Sequence, residues 1–265
     1  MSLPLLVHSK LFWYNNGKLD ACWGLGMKDG TSVKQQDDYI RDMDRFGIDT
    51  ITLNICNEEL SSPFSGEFMN SSWHEAKINM WFNYARRLKN AGKNVIVVYF
   101  DFPGSLTGDV KYPFWKYRNR IPEFLKIGTM ALAPIADGFI FGIESNRKPG
   151  PTLEELDYCV KIMQTYAVRH IGNNQWVDLP VGTHEQSYRI APSADFIGYE
   201  TRNHPLNGDS VSVKDMTDDV KGLVSRAKGK YTWVIESNSS DGAHARAQNN
   251  AMAAIPGVHG VGGPL

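Results

Sequence analysis

The chain has 265 residues, of which 42% are hydrophobic and 22% charged, the balance of a globular protein with a full core, which excludes disordered and collagen-like chains. Its 28 Lys and Arg stand against 29 Asp and Glu for a formal charge of −1, so no global positive field draws a polyanion and no nucleic-acid partner is expected. Barrels of alternating strands and helices reach about 250 residues as one unit, and residues 1–265 are read as one domain.

The opening MSLPLLVHSKLFWYNN holds a short apolar stretch with no positive charge before it. A signal-peptide core needs about 7–15 apolar residues and a membrane span about 18. No membrane association is therefore expected, and a cytoplasmic or virion-associated location follows. Oligomeric state has no signature in the sequence. Cys22, Cys56 and Cys159 lie far apart without a CxxC pair, which reads as free buried thiols rather than a disulfide framework or zinc knuckle.

In chain order, eight strands are expected: 19–25 (LDACWGL), 48–56 (IDTITLNIC), 94–102 (NVIVVYFDF), 138–145 (GFIFGIES), 178–184 (DLPVGTH), 195–201 (DFIGYET), 231–237 (YTWVIES) and a weak 257–263 (GVHGVGG). Several are continuous apolar runs, as expected where helices cover the outside of a parallel sheet and side chains fill the inside. Between them, helical periodicity runs over 32–46 with Gly47 as a stop, over 73–91 with Gly92 as a stop, after Thr152, after Asp215, and over 243–254. Thr152 is a good N-cap, followed by Glu154 and Glu155 near the positive end of the helix dipole.

This order predicts an α/β fold, a (β/α)8 barrel, better than an open doubly wound sheet. The latter announces itself by a glycine-rich phosphate turn, and CWGLGMKDG offers only GxG. No helical pattern follows the eighth strand. Either the barrel lacks its final helix or the first 17 residues cover that flank. The longest irregular stretch, 103–120 (PGSLTGDVKYPFWKYRNR), is long enough for a functional loop.

Barrels of this kind carry their active sites at the C-terminal strand ends. The polar residues expected there are Asn54, Asp101, Glu144, His184, Glu185, Glu200 and Glu236. Two of these acids, Glu144 and Glu236, belong to the repeated tetrapeptide IESN, at 143–146 and 235–238. Several carboxyl groups converging on one rim suit glycosidic bond cleavage, in which one carboxyl donates a proton and another acts as nucleophile or base against an oxocarbenium-like transition state.

An acid at the end of strand four and a glutamate at the end of strand seven resembles the retaining (β/α)8 glycosidases of clan A. That resemblance implies Glu144 as acid/base and Glu236 as nucleophile. Those enzymes carry Asn before the strand-four acid, where this chain has Ile143, so Asn146 or Asn238 is the candidate for the substrate 2-hydroxyl. The run DGFIFGIE, 137–144, also resembles the strand-four motif of family 18 chitinases, with Ile140 and Gly142 in place of its intermediate aspartates.

Aromatic rings stack on the apolar faces of sugars, and the loop segment KYPFWKYR offers Trp115 as a platform. His184, Glu185, Tyr199 and Glu200 are expected to bind sugar hydroxyls or tune the acid pair. Seven histidines occur without HxH or HExxH, so no metal and no cofactor is expected. The sequence reads as a glycoside hydrolase with a carbohydrate substrate. A carbohydrate-binding or structural barrel without turnover, and a metal-dependent hydrolase, remain as alternatives.

Overall fold

Branched and aromatic residues in runs such as TITLN, NVIVVYFD and GFIFGI form strands because their side chains pack well on a pleated surface. The computed structural model describes residues 11–12, 33–45, 49–54, 71–101, 119, 121–143, 151–185, 187–201, 211–236 and 242–261. Its elements are β1 (Leu11–Phe12), α1 (Val33–Arg45), β2 (Thr50–Asn54), α2 (Ser71–Asn90), β3 (Asn94–Asp101), α3 (Ile121–Leu132), β4 (Gly138–Ile143) and α4 (Leu153–Tyr166). They continue with β5 (Val168–Gly172), β6 (Gln175–Asp178), β7 (Val181–Glu185), β8 (Phe196–Glu200), α5 (Val213–Ala227), β9 (Tyr231–Glu236), α6 (Gly242–Ala253) and β10 (Val258–Val261).

Eight strands form one sheet in the order β1-β2-β3-β4-β7-β8-β9-β10, and every neighbouring pair is parallel. β1 pairs with β2 and also lies against β10, so the sheet curls until its edges meet. The architecture is a (β/α)8 barrel. The expected strand at 19–25 lies outside the described residues; the strand preceding β2 in the sheet is Leu11–Phe12.

Strand residues alternate between two cores. On the outer face Ile51, Leu53, Val97, Tyr99, Phe141 and Val181 pack with Trp81, Tyr84, Leu125 and Leu156 of the helices. Ile197, Tyr199 and Val234 do the same with Met216, Val220 and Leu223 of α5. The inner face is filled by the intervening residues, among them Phe196 and Trp233 with ring centroids 5.0 Å apart. Gly182 is required beside them, since a Cβ there would lie 2.5 Å from the Phe196 ring.

Two identical backbone clasps set the stagger of neighbouring strands. Asp137 N–H donates to Val95 O (2.8 Å) while Val95 N–H donates to Asp137 Oδ2 (2.9 Å). Asp195 N–H donates to Val181 O (2.8 Å) while Val181 N–H donates to Asp195 Oδ2 (2.8 Å). Both aspartates follow a buried alanine, Ala136 and Ala194, just before a strand.

Helix termini follow their caps. Thr152 closes a capping box on α4: its hydroxyl accepts from Glu155 N–H at 3.2 Å and Glu155 Oε2 accepts from Thr152 N–H at 2.9 Å, an arrangement worth about 1 kcal/mol. Ser212 caps α5 on Asp215 N–H at 3.0 Å. Cys159 is buried on α4, and burial pushes its thiol well above the ordinary range, which leaves it inert; Cys22 and Cys56 lie outside the described residues.

Two elements go beyond the sequence expectations. β5 and β6 form an antiparallel hairpin of their own, outside the barrel sheet. The connection from β7 to β8 holds no helix among the described residues; Tyr188 in it is packed on α5, where a Cβ on Gly222 would lie 2.6 Å from its hydroxyl. Among the described residues no helix is long and apolar enough to cross a membrane.

Candidate active site

The C-terminal ends of the parallel strands share one rim. β4 ends at Ile143 on this rim, and Glu144, the next residue in the chain, lies outside the described residues. β9 ends at Glu236. In the ladder Glu236 is registered opposite Glu200, after an irregularity that breaks the count between Tyr199 and Glu200. Adjacent strands lie about 4.8 Å apart, so two acidic positions are neighbours at this edge. Asn54 and Asp101 end β2 and β3 at the same rim and are placed as backbone.

Next to Glu236, β7 and β8 carry a buried pair. His184 Nε2 lies 3.8 Å from Glu200 Oε2, with 0% and 1% of their side-chain surfaces exposed. The register places His184 opposite Gly198. An imidazole and a carboxylate at this distance attract each other when the imidazole is protonated, and burial strengthens that attraction by excluding water.

Glu185 and Tyr199 do not share that face, which corrects the expectation that they contact sugar. Tyr199 belongs to the outer core with Met216 and Val220, and its hydroxyl donates to Asp219 Oδ2 of α5 at 2.6 Å. Alternation is the physical reason: Tyr199 and Glu200 are consecutive, so one points outward when the other points inward. Glu185 is registered with Tyr199. Its carboxylate is fully buried against Arg189, which donates from Nη2 to Oε1 at 2.9 Å and from Nε to Oε2 at 3.3 Å.

Arg189 also donates to Pro151 O at 2.7 Å, tying the end of β7 to the segment that enters α4. The second oxygen of Asp219 accepts from the Tyr188 hydroxyl at 2.8 Å, and the Arg226 guanidinium stacks 4.1 Å from the Tyr188 ring centroid. The β7–β8 connection is thereby locked to α5 in place of a helix of its own. Arg189, Tyr188 and Asp219 were not among the expected residues. Their signal in the sequence, a basic residue four after Glu185, is weak because nothing there says that the chain turns back on itself.

Asp157 of α4 anchors the same connection from below. It accepts from Ser193 N–H at 2.6 Å, from the Ser193 hydroxyl at 3.2 Å and from Lys161 at 2.7 Å. Burial pushes its carboxyl upward, but the Lys161 and Ser193 hydrogen bonds outweigh this and hold it below the usual carboxylate range. Trp115, Asn146 and Asn238 lie outside the described residues.

The sequence matches no family model and no curated protein. Solved structures do match. A GH5_18 protein from Bifidobacterium longum subsp. longum, in complex with Manβ1-4GlcNAc, superposes with a TM-score of 0.64 at 14% identity, over 97% of this chain and 68% of that one. An exo-β-1,4-mannosidase from Opitutaceae bacterium strain TAV5 gives 0.66 at 13% identity, over 98% of this chain and 51% of that one. An endo-1,4-β-mannanase from Eisenia fetida gives 0.55 at 14% identity, over 97% and 84%. At this identity the likeness is one of fold: the chain has the (β/α)8 barrel architecture found in these glycoside hydrolases.

Proposed function

We propose that this chain is a retaining glycoside hydrolase, with Glu144 as acid/base and Glu236 as nucleophile, acting on a β-linked mannose-containing glycan. The observation that carries the reading is the sheet order. β4, last described at Ile143, and β9 are the fourth and seventh strands of one parallel sheet, so their C-terminal ends share one rim, three strands apart, which supports the pairing of the residues that follow or close them. Support for the activity comes from the shared architecture, and support for the sugar from the mannosidase and mannanase among the similar structures.

In this reading Glu236 attacks the anomeric carbon while Glu144 protonates the departing oxygen, and Glu144 then takes a proton from water as the glycosyl-enzyme is hydrolysed. Retention requires the two carboxyls about 5–5.5 Å apart. Glu200, registered opposite Glu236, and its buried partner His184 are proposed to keep the nucleophile's end of the rim polar. Asn54, Asp101, Asn146 and Asn238 are proposed to bind sugar hydroxyls, and Trp115 to stack on a sugar ring.

The test uses activated aryl β-mannosides. Glu236→Gln is expected to abolish turnover, because no other group forms the covalent intermediate. Glu144→Gln is expected to form the glycosyl-enzyme and stall, and azide, which needs no base, is expected to release a glycosyl azide of retained configuration. A glycosyl azide of retained configuration from the Glu236 variant, with none from the Glu144 variant, would reverse the roles. Wild-type binding of a glycan without cleavage of any in a broad panel would make the barrel a binding module.

A further inference from the structure

The hairpin β5–β6 departs from the barrel between the end of α4 and the start of β7. It therefore stands at the N-terminal ends of the strands, on the face opposite the acidic rim. Leu179 N–H donates to Ala167 O at 2.7 Å and closes its base. Arg169 donates to Ala136 O at 3.2 Å and lies 3.7 Å from Asp137, and Val177, registered with Arg169, is buried. One face of the ribbon is thus fastened to the barrel.

The other face is presented to solvent. His170 and Trp176 are cross-strand partners on it, their ring centroids 5.1 Å apart and tilted by 58°. Trp176 is 63% exposed, the most exposed large hydrophobic side chain among the described residues. The turn next to it is tight: Asn173 and Asn174 sit at φ 49° and 57° after Gly172 at φ 95°, the twist that suits a two-residue hairpin and that asparagine tolerates. An indole held this way loses little freedom when a ligand covers it.

We propose that this hairpin face is a second carbohydrate-binding site, with Trp176 as the stacking platform and the amides of Asn174 and Gln175 as partners for hydroxyl groups. Composition and area select the ligand. An aromatic side chain contributes on the order of 150–250 Å² of contact, whereas a stable protein partner needs about 800 Å² per side. A single pyranose matches one indole. The turn Asn173-Asn174-Gln175 carries no formal charge, and Arg169, the one Lys or Arg in the hairpin, is turned to Asp137, so a phosphate backbone finds no counter-charge here. A neutral sugar does: its C–H face lies on the ring and its hydroxyls meet amide donors and acceptors.

The ligand class rests on the chemistry of the hairpin. That it is the same polymer cleaved at the opposite face rests on the proposed glycosidase activity; such a site would hold the enzyme on a long chain between cleavage events, raising its effective concentration there. The experiment is affinity electrophoresis of the full chain through gels containing β-1,4-mannan, xylan, soluble β-glucan or glycol chitin. Wild type is expected to be retarded by at least one. Trp176→Ala is expected to weaken that retardation about tenfold or more and Trp176→Phe to restore part of it, with hydrolysis of a short aryl glycoside and the melting temperature unchanged. Equal retardation of Trp176→Ala and wild type, or retardation of wild type by none of the polymers, overturns the proposal. So does a change in sedimentation of Trp176→Ala from dimer to monomer, which would make the face a self-contact. Trp176-dependent retardation without hydrolysis of any glycan would sink the enzymatic reading and leave this site standing; hydrolysis with Trp176-independent retardation would do the reverse.

Discussion

His184 and Glu200 face each other at 3.8 Å inside the barrel, one at the end of β7 and the other at the end of β8, both sealed from solvent. A buried charge keeps its ionised form only with partners, and removal of one partner leaves the other exposed to an unfavourable medium.

Glu200→Gln keeps the shape of the side chain and removes its charge. If Glu200 shapes the environment of Glu236, kcat/KM toward an aryl glycoside is expected to fall by about tenfold or more, equivalent to about 1.4 kcal/mol. The pH–rate profile should move with it while the melting temperature stays within a few degrees. A collapse of the melting temperature with an unmoved pH profile would assign the pair to folding alone.

Tyr199→Phe is expected to act in the opposite sense. It removes a 2.6 Å hydrogen bond to the Asp219 carboxylate on the helix side of the sheet, a loss of about 1.5–3 kcal/mol for a bond to a charged group. Activity per folded molecule should be unchanged. Reduced kcat at unchanged stability would put the hydroxyl in the cleft after all.

Asp157 makes stability depend on acid. Because its folded-state carboxyl is held low, the stabilisation it gives is complete above the unfolded value of about 3.9 and fades as pH falls through the folded one. Asp157→Asn is expected to cost about 1–3 kcal/mol at pH 7 in urea unfolding. The gap between the two proteins should hold down to about pH 5 and narrow below about pH 4. A gap that widened in acid would contradict the assignment.

Gly182→Ala puts a Cβ 2.5 Å from the Phe196 ring, in a strand buried along its whole length. Overpacking of this kind costs about 1–3 kcal/mol, a drop of about 2–12 °C in Tm for a chain of this size. Adding Phe196→Leu should recover part of it. If the single variant melts like wild type, the inner face of the barrel is looser than the ring contacts imply.

β2, β3 and β4 were legible because their apolar runs are nearly continuous, the mark of a sheet buried on both faces, whereas β10, VHGV, gave only a weak signal. α3 was not legible, since IPEFLKIGTMAL follows directly on the irregular 103–120 stretch and carries Pro122 and Gly128, two residues that weaken a helical reading. The hairpin escaped for a different reason: Asn173-Asn174 turns the chain without the glycine that usually signals such a turn. At the rim, residue types could be read but not facing. That Glu200 looks inward toward His184 while Glu185 looks outward toward Arg189 depends on how β7 and β8 are staggered, a property of two strands that neither segment encodes alone. Alternation by itself forbids a shared face for Tyr199 and Glu200, a constraint that the expectation of both at the site passed over.

That stagger is indexed at the far end of the molecule. Asp195 grips Val181 at two points where β7 and β8 begin, and Asp137 grips Val95 in the same manner where β3 and β4 begin. Side chains alternate with a period of two, so a slip of one residue would turn Glu200 into the helix layer and bring Tyr199 to the mouth. A carboxylate on the base of the barrel thus acts as a vernier for the chemistry at its top. It fixes which letter of each strand arrives at the rim without touching anything there.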